Sequence, residues 1–192
     1  MSDKRVKKTE RLKETFFARS CLDAAPDLVG KLLCRKLPDG TVLRLRVTET
    51  EAYNGVDDTA CHACKGKTPR AEMLWHGPGT IYIYLCYGMH WMLNVVTGNE
   101  GDPQCVLIRA CKNYKGPGRL TKYLRLDRSL NGKNIVSSDE LWFEDDGFCS
   151  TIGTDRRVGI EYAAPADRER RWRFIECSSE QEQEDHQRNS SK

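Results

Sequence analysis

Glu49 and Glu51 flank Thr50 near the end of an alternating stretch, Val42 to Tyr53, so a strand there sets both carboxylates on one face and Thr50 on the other. Two carboxylates so placed are either a general acid/base pair or the acidic halves of surface ion pairs, and an isolated Glu-Thr-Glu favours the second. Tyr53, two residues on, and His62, nine beyond it, shift that balance toward a pocket. His62 lies in Cys61-His-Ala-Cys64, a spacing that invites a zinc reading, yet no second Cys-x-x-Cys or His-x-x-x-His follows it. The alternative is a pocket histidine that donates a hydrogen bond. Between Tyr82 and Asn94, Tyr82 and Tyr84 share one strand face, and Tyr87-Gly88-Met89 reads as a tight turn presenting a ring and a thioether. Core packing accounts for Trp91 and Leu93. Clustered tyrosines beside Gly, His and Met also suit a surface that stacks on bases or drives a wedge into a duplex. Arg109 closes the apolar run Val106-Leu-Ile and is either a surface cation or the partner of a buried carboxylate such as Glu51.

The elements that must carry these residues follow from periodicity. Ala24 to Leu33 is expected as a short helix opening near Pro26. Pro38-Asp39-Gly40 is a turn between Cys34–Leu37 and the long strand that ends at Tyr53. Strands are expected over Gly79–Gly88, Trp91–Val96 and Cys105–Ala110, and a helix over Gly116–Leu126. Short strands interleaved with a few helices, without regular βαβ alternation, predict a mixed fold on an antiparallel or curled sheet.

With 192 residues the chain fits one domain. Residues 1–13 read as a basic flexible tail, 14–176 as the folded domain and 177–192 as a polar, acidic, disordered tail. The formal net charge is +3. About +4 of it sits in the first thirteen residues and −2 in the last fifteen, so any affinity for nucleic acid must come from a localised basic face. Neither a membrane span nor a secretion signal is expected. The nine cysteines are an odd number without repeating spacing, which points to packed free thiols in a reducing compartment.

Taken in order, Glu-Thr-Glu-Ala-Tyr53, His62, Thr68-Pro-Arg, Gly77-Pro-Gly-Thr-Ile-Tyr-Ile-Tyr, Tyr87-Gly-Met, Asn94, Val106-Leu-Ile-Arg-Ala, Gly116-Pro-Gly-Arg-Leu and Arg157-Val-Gly make the chain resemble the alkyladenine (3-methyladenine) DNA glycosylases, of the animal and bacterial type and not the helix-hairpin-helix type. The likeness runs from about Leu12 to Phe174. It implies an α+β fold, one compact mixed domain with a curved antiparallel sheet and a few flanking helices. It also implies a monofunctional base-excision enzyme that flips alkylated or deaminated purines out of duplex DNA and hydrolyses the N-glycosidic bond with an activated water.

By that resemblance Glu51 is the general base, and Arg109 and the carbonyl of Val158 help to hold the water. Tyr53, His62 and Tyr84 form the base pocket, and Asn94 excludes the amine of guanine. Tyr87, with Met89 beside it, fills the gap in the duplex. No metal or organic cofactor is implied. The expected partner is damaged double-stranded DNA, with no membrane association. A monomer is expected, in the cytoplasm (nucleoid) of a bacterium or the nucleus of a eukaryote. The competing reading is a non-catalytic DNA- or RNA-binding domain that uses the tyrosine cluster and the arginines at 168–173.

Overall fold

A computed structural model describes residues 9–177. In chain order the elements are β1 (Glu10–Arg11), α1 (Glu14–Phe17), α2 (Cys21–Leu28), β2 (Leu32–Lys36), β3 (Val42–Asn54), β4 (Ile81–Cys86), β5 (His90–Thr97), β6 (Gln104–Cys111), α3 (Pro117–Tyr123), β7 (Leu141–Asp145), β8 (Ile152–Asp155), α4 (Pro165–Glu169) and β9 (Arg173–Glu176). Single 3-10 turns at His62–Lys65, Glu72–Trp75 and Arg128–Leu130 punctuate the loops.

β3 is the spine. At 13 residues it outlasts any one neighbour: its first half pairs with β2, and Glu49–Glu51 then pair with β9 while the other edge pairs with β6. All strand pairs are antiparallel, and the path across the sheet reads β1-β7-β2-β3-β6-β5-β4, with β8 on β9 and β9 on β3. The result is one compact α+β domain on an open antiparallel sheet, as expected.

The main core lies where α2 covers β3. Phe17, Leu28, Leu33, Val47, Ile108 and Phe143 are all buried there, and the Thr50 hydroxyl donates to the Ala25 carbonyl at 2.8 Å. Thr50 is thereby held on the core face, which leaves Glu49 and Glu51 on the opposite one. The end strand β4 is closed from outside: the Ile81 amide donates to the Lys133 carbonyl, the Ile81 carbonyl accepts from Gly132, and the Ile83 amide donates to the Asn131 side chain.

Two expectations need correcting. The helix expected over Ala24–Leu33 is displaced: α2 begins at Cys21, capped by the Ser20 side chain on the Leu22 amide, and holds Pro26 inside it. Gly30, at φ 88°, turns the chain, and Leu32–Leu33 enter β2 between β3 and β7. The apolar run from Leu28 to Leu33 thus spans a helix end and a strand start, which periodicity alone does not separate. Second, part of the segment read as a loose N-terminal tail is a strand, because Glu10 and Arg11 pair with Asp145 and Glu144. Residues 1–8 and 178–192, the rest of the two expected tails apart from 9, 12, 13 and 177, lie outside the described residues.

Candidate active site

The strand register lays out the site. Glu51 on β3 faces Leu107 on β6, Leu107 faces Asn94 on β5, and Asn94 faces Tyr82 on β4. Directly opposed residues share a sheet face, so these four form one row across four strands, three strand spacings or about 14 Å wide. On this row stands a cavity of about 500 Å³, within the usual size of small-molecule sites (about 300–1,000 Å³). Tyr53 and Arg109 line it at the Glu51 end and Tyr82 and Tyr84 at the other, with Asn94 and Leu107 between them. His62 and Val158 arrive from loops.

Two ladder irregularities aim the charged groups. Register shifts around Glu49 leave Thr48 on β3 and Arg109 on β6 without a direct partner. Such bulges re-aim side chains. Arg109 Nε donates to Glu49 at 2.9 Å, and its Nη1 lies 3.5 Å from Glu51 Oε1. Glu49 also accepts from Arg173 Nη1 at 2.9 Å.

Glu51 itself is fully buried, immediately behind the cavity-lining Tyr53, Arg109 and Val158. It accepts two hydrogen bonds, from the Val158 amide on Oε1 and from the Tyr53 hydroxyl on Oε2, both at 2.8 Å. Burial pushes its pKa above the usual carboxylate value, with Glu49 adding to the rise. Arg109 and the two hydrogen bonds oppose that rise without cancelling it.

At the far end, His62 Nδ1 sits 2.8 Å from the Tyr82 hydroxyl. Its ring meets Tyr84 edge-on at 4.7 Å, and Tyr82 and Tyr84 tilt against each other at 5.3 Å. Burial first, then the charges of Arg70 and Lys65, push the His62 pKa down to about 4, so the ring is neutral near pH 7. Asn94 is fixed by hydrogen bonds from its amide to the carbonyls of Tyr82 and Met92.

At the mouth, the β4–β5 turn holds Tyr87 and Gly88 with positive φ (51° and 69°). Here Gly88 takes at no steric cost a backbone that Tyr87 adopts under strain. Tyr87 is 84% exposed and Met89 71%, a ring and a thioether held out into solvent.

A methylpurine-DNA glycosylase family model matches residues 15–115 and 111–180. Similar proteins that carry the provisional name 3-methyladenine DNA glycosylase occur in Psychrobacter cryohalolentis (42% identical, covering 81% of this chain and 87% of that one), Methanocella arvoryzae (40%; 88% and 93%) and Desulfitobacterium hafniense (38%; 86% and 94%). The chain belongs to the methylpurine-DNA glycosylase family. It is therefore a DNA glycosylase, an enzyme of DNA repair that binds damaged DNA.

The fold of this glycosylase gathers Tyr53, His62, Tyr84, Asn94, Arg109 and Val158 around one cavity, with Glu51 behind its wall and Tyr87 at its rim. For Val158 it is the amide that touches Glu51. Cys61 and Cys64 turn their thiols apart, toward the carbonyls of Pro103 and Thr59, and all nine cysteines are free thiols. The arginines at 168–173 are largely occupied: Arg170 pairs with Asp167, Arg171 donates to Thr154, and Arg173 binds Glu49 and Asp155. In contrast, Lys112, Lys115, Arg119, Lys122, Arg125 and Arg128 are exposed and form no ion pair among the described residues. Pro117, within this basic stretch, lines the cavity.

Three features escaped sequence reasoning: the Tyr82–His62 hydrogen bond, the role of Arg173 beside Glu49, and the buried ion pair of Asp58 with Arg157. Tyr82 could have been found from its place on the same strand face as Tyr84. Asp58 and Arg157 stand 99 residues apart and carry no local signal.

Proposed function

We propose that the protein is a monofunctional glycosylase that removes alkylated or deaminated purines, of the 3-methyladenine, 7-methylguanine and hypoxanthine type, from duplex DNA. It acts as a monomer and uses water as nucleophile. The observation that carries this reading is Glu51: a fully buried carboxylate with only two hydrogen-bond donors, set beside an arginine at the edge of an aromatic cavity. A carboxylate offers about four acceptor sites, so this one keeps capacity for a water.

Extrusion of a base costs a few kcal/mol of lost stacking, least where damage has already weakened pairing. Tyr53 and Tyr84 offer replacement stacking at the two ends of the row, and Tyr87 occupies the space left in the duplex. In this reading Tyr82 donates to His62 Nδ1, so the neutral imidazole carries its proton on Nε2 and donates it to the edge of the base. Asn94, locked by its own hydrogen bonds, cannot turn aside for the exocyclic amine of guanine.

An N3- or N7-alkylated purine is cationic and leaves readily. The chemistry left to the protein is to place a water and to stabilise an oxocarbenium-like sugar, and an ionised Glu51 serves both ends. Arg109 and the Val158 carbonyl complete the hold on the water. The unpaired cations from Lys112 to Arg128 supply the phosphate contacts.

The test is incubation of the protein with a duplex bearing hypoxanthine or 7-methylguanine, followed by alkali to reveal abasic sites. Strand cleavage after alkali, none before it, and retained duplex binding by an inactive Glu51→Gln variant are the expected results. Tight, salt-dependent binding without base release from any lesion would establish the non-catalytic alternative.

A further inference from the structure

Beneath the cavity lies a second charged group that the chemistry above does not use. The Arg157 and Asp58 side chains are buried at 0% and 1% exposure and meet as a fork on a carboxylate, Nη1 to Oδ2 at 2.5 Å and Nη2 to Oδ1 at 2.8 Å. Each partner also holds backbone. Arg157 Nη1 donates to the carbonyl of Ala52, the residue between Glu51 and Tyr53, and Nη2 reaches the Asp167 carbonyl. Asp58 accepts from the amides of Asn54 and Ala60. The guanidinium is packed against two rings, 4.8 Å from the Tyr53 centroid and 5.1 Å from that of Trp172.

Three stretches of chain therefore meet on this pair: the end of β3 with Glu51 and Tyr53, the loop 55–61 that delivers His62, and the loop after β8 that delivers Val158. The residue next to Arg157 is the one whose amide binds Glu51, and the ring beneath the guanidinium is the one whose hydroxyl binds the other Glu51 oxygen. Moving the fork moves both donors to the carboxylate at once. Charge alone does not require this arrangement: the Arg157 Nε is buried without a hydrogen-bond partner among the described residues, so the side chain is oriented by its two terminal nitrogens and its faces.

We propose that Asp58 and Arg157 are the positioning residues of this active site, fixing the Val158 amide and the Tyr53 hydroxyl on Glu51 through the planar geometry of the fork. The inference rests on the glycosylase reading and names residues that touch neither base nor water. A lysine at 157 keeps the charge and loses the fork and the flat faces. Misplacement of catalytic groups by about 1 Å can cost 100-fold.

The experiment compares wild type, Arg157→Lys and the double variant Asp58→Asn with Arg157→Gln in single-turnover release of hypoxanthine from a duplex, in binding to the same duplex, and in thermal unfolding. The expected result for Arg157→Lys is excision slowed by about 100-fold with duplex affinity little changed. The acid limb of its pH profile moves to higher pH, because Glu51 loses donors that favour its ionised form. The groups nearest Glu51 are Arg109, Glu49, Tyr53 and the Val158 amide, with the charges of Arg157 and Arg173 farther off. A lysine at 157 keeps the first of those two charges, so what the variant takes from Glu51 is the placement of Tyr53 and the Val158 amide.

The double variant removes both charges together and so avoids a lone buried ion. It is expected to fold and to remain slow. A folded Arg157→Lys or double variant with wild-type excision overturns the proposal, and so does failure of both to fold, which would make the pair a stability element only. A wild-type protein that releases no base overturns the glycosylase reading itself, an outcome seen before any variant is compared.

Discussion

Glu51 and Asp58 lie seven residues apart and are equally buried, yet the fold treats them in opposite ways. Asp58 receives four hydrogen bonds, two from Arg157 and two from backbone amides, enough to fill the roughly four acceptor sites of a carboxylate. Glu51 receives two, and its nearest cation stands off at 3.5 Å because Arg109 is shared with Glu49. A saturated carboxylate has no acceptor site to spare and serves as structure. A buried carboxylate left short of partners is held at a cost, and in the mechanism proposed above a general base draws on that cost.

Four substitutions test this contrast, and the largest effect falls on Glu51. Glu51→Gln is expected to slow base release by about 10²–10⁴-fold and, at neutral pH, to raise the urea midpoint of unfolding. The sign follows from linkage. The folded-state pKa of Glu51 is raised, so its contribution to stability is present below the unfolded carboxylate value and lost as pH rises through the folded value. Glutamine escapes that loss.

Asp58→Asn should do the reverse to stability, lowering it by about 3–5 kcal/mol, because it strands the Arg157 charge in the interior. If both variants moved the urea midpoint in the same direction, the contrast would fail. Arg109→Ala removes the cation nearest Glu51 and should shift the acid limb of the excision profile upward, read from single-turnover rates between about pH 5 and 8. Glu49→Gln should move the same limb slightly downward, since it removes a like charge and releases Arg109 toward Glu51. No movement in either variant would mean that Glu51 is not the group whose ionisation limits the rate.

Much of this site can be read from the chain because strands impose a period of two. That period puts Glu49 with Glu51 on one face of β3 and Tyr82 with Tyr84 on one face of β4, and Pro38-Asp39-Gly40 fixes the hairpin that starts β3. The order of strands is not local information, so the row from Glu51 to Tyr82 needed the fold. The Asp58–Arg157 pair was hidden for a like reason. Val56-Asp-Asp-Thr59 and Asp155-Arg-Arg-Val158 look like solvated charge, and only tertiary packing selects the second member of each doublet for burial while Asp57 and Arg156 stay exposed. The boundary between α2 and β2 was blurred because an apolar run serves a helix end and a strand start equally well.

A protein that presents a bare tyrosine and methionine on a hairpin has a second difficulty, which is its own solubility. Leu85, Tyr87 and Met89 stand exposed at the end of β4, the last strand of the sheet, and an open strand edge beside an apolar tip is a template for strand addition by another copy. The 131–133 segment denies that template by taking the outward amides of Ile81 and Ile83. At the other border the sheet ends in β1, two residues long and charged at both. Asn131 thus helps keep the strand edge beside the exposed hairpin from pairing with another copy. Loss of its side chain would be felt first as light scattering in concentrated solution and only later as a change in catalysis.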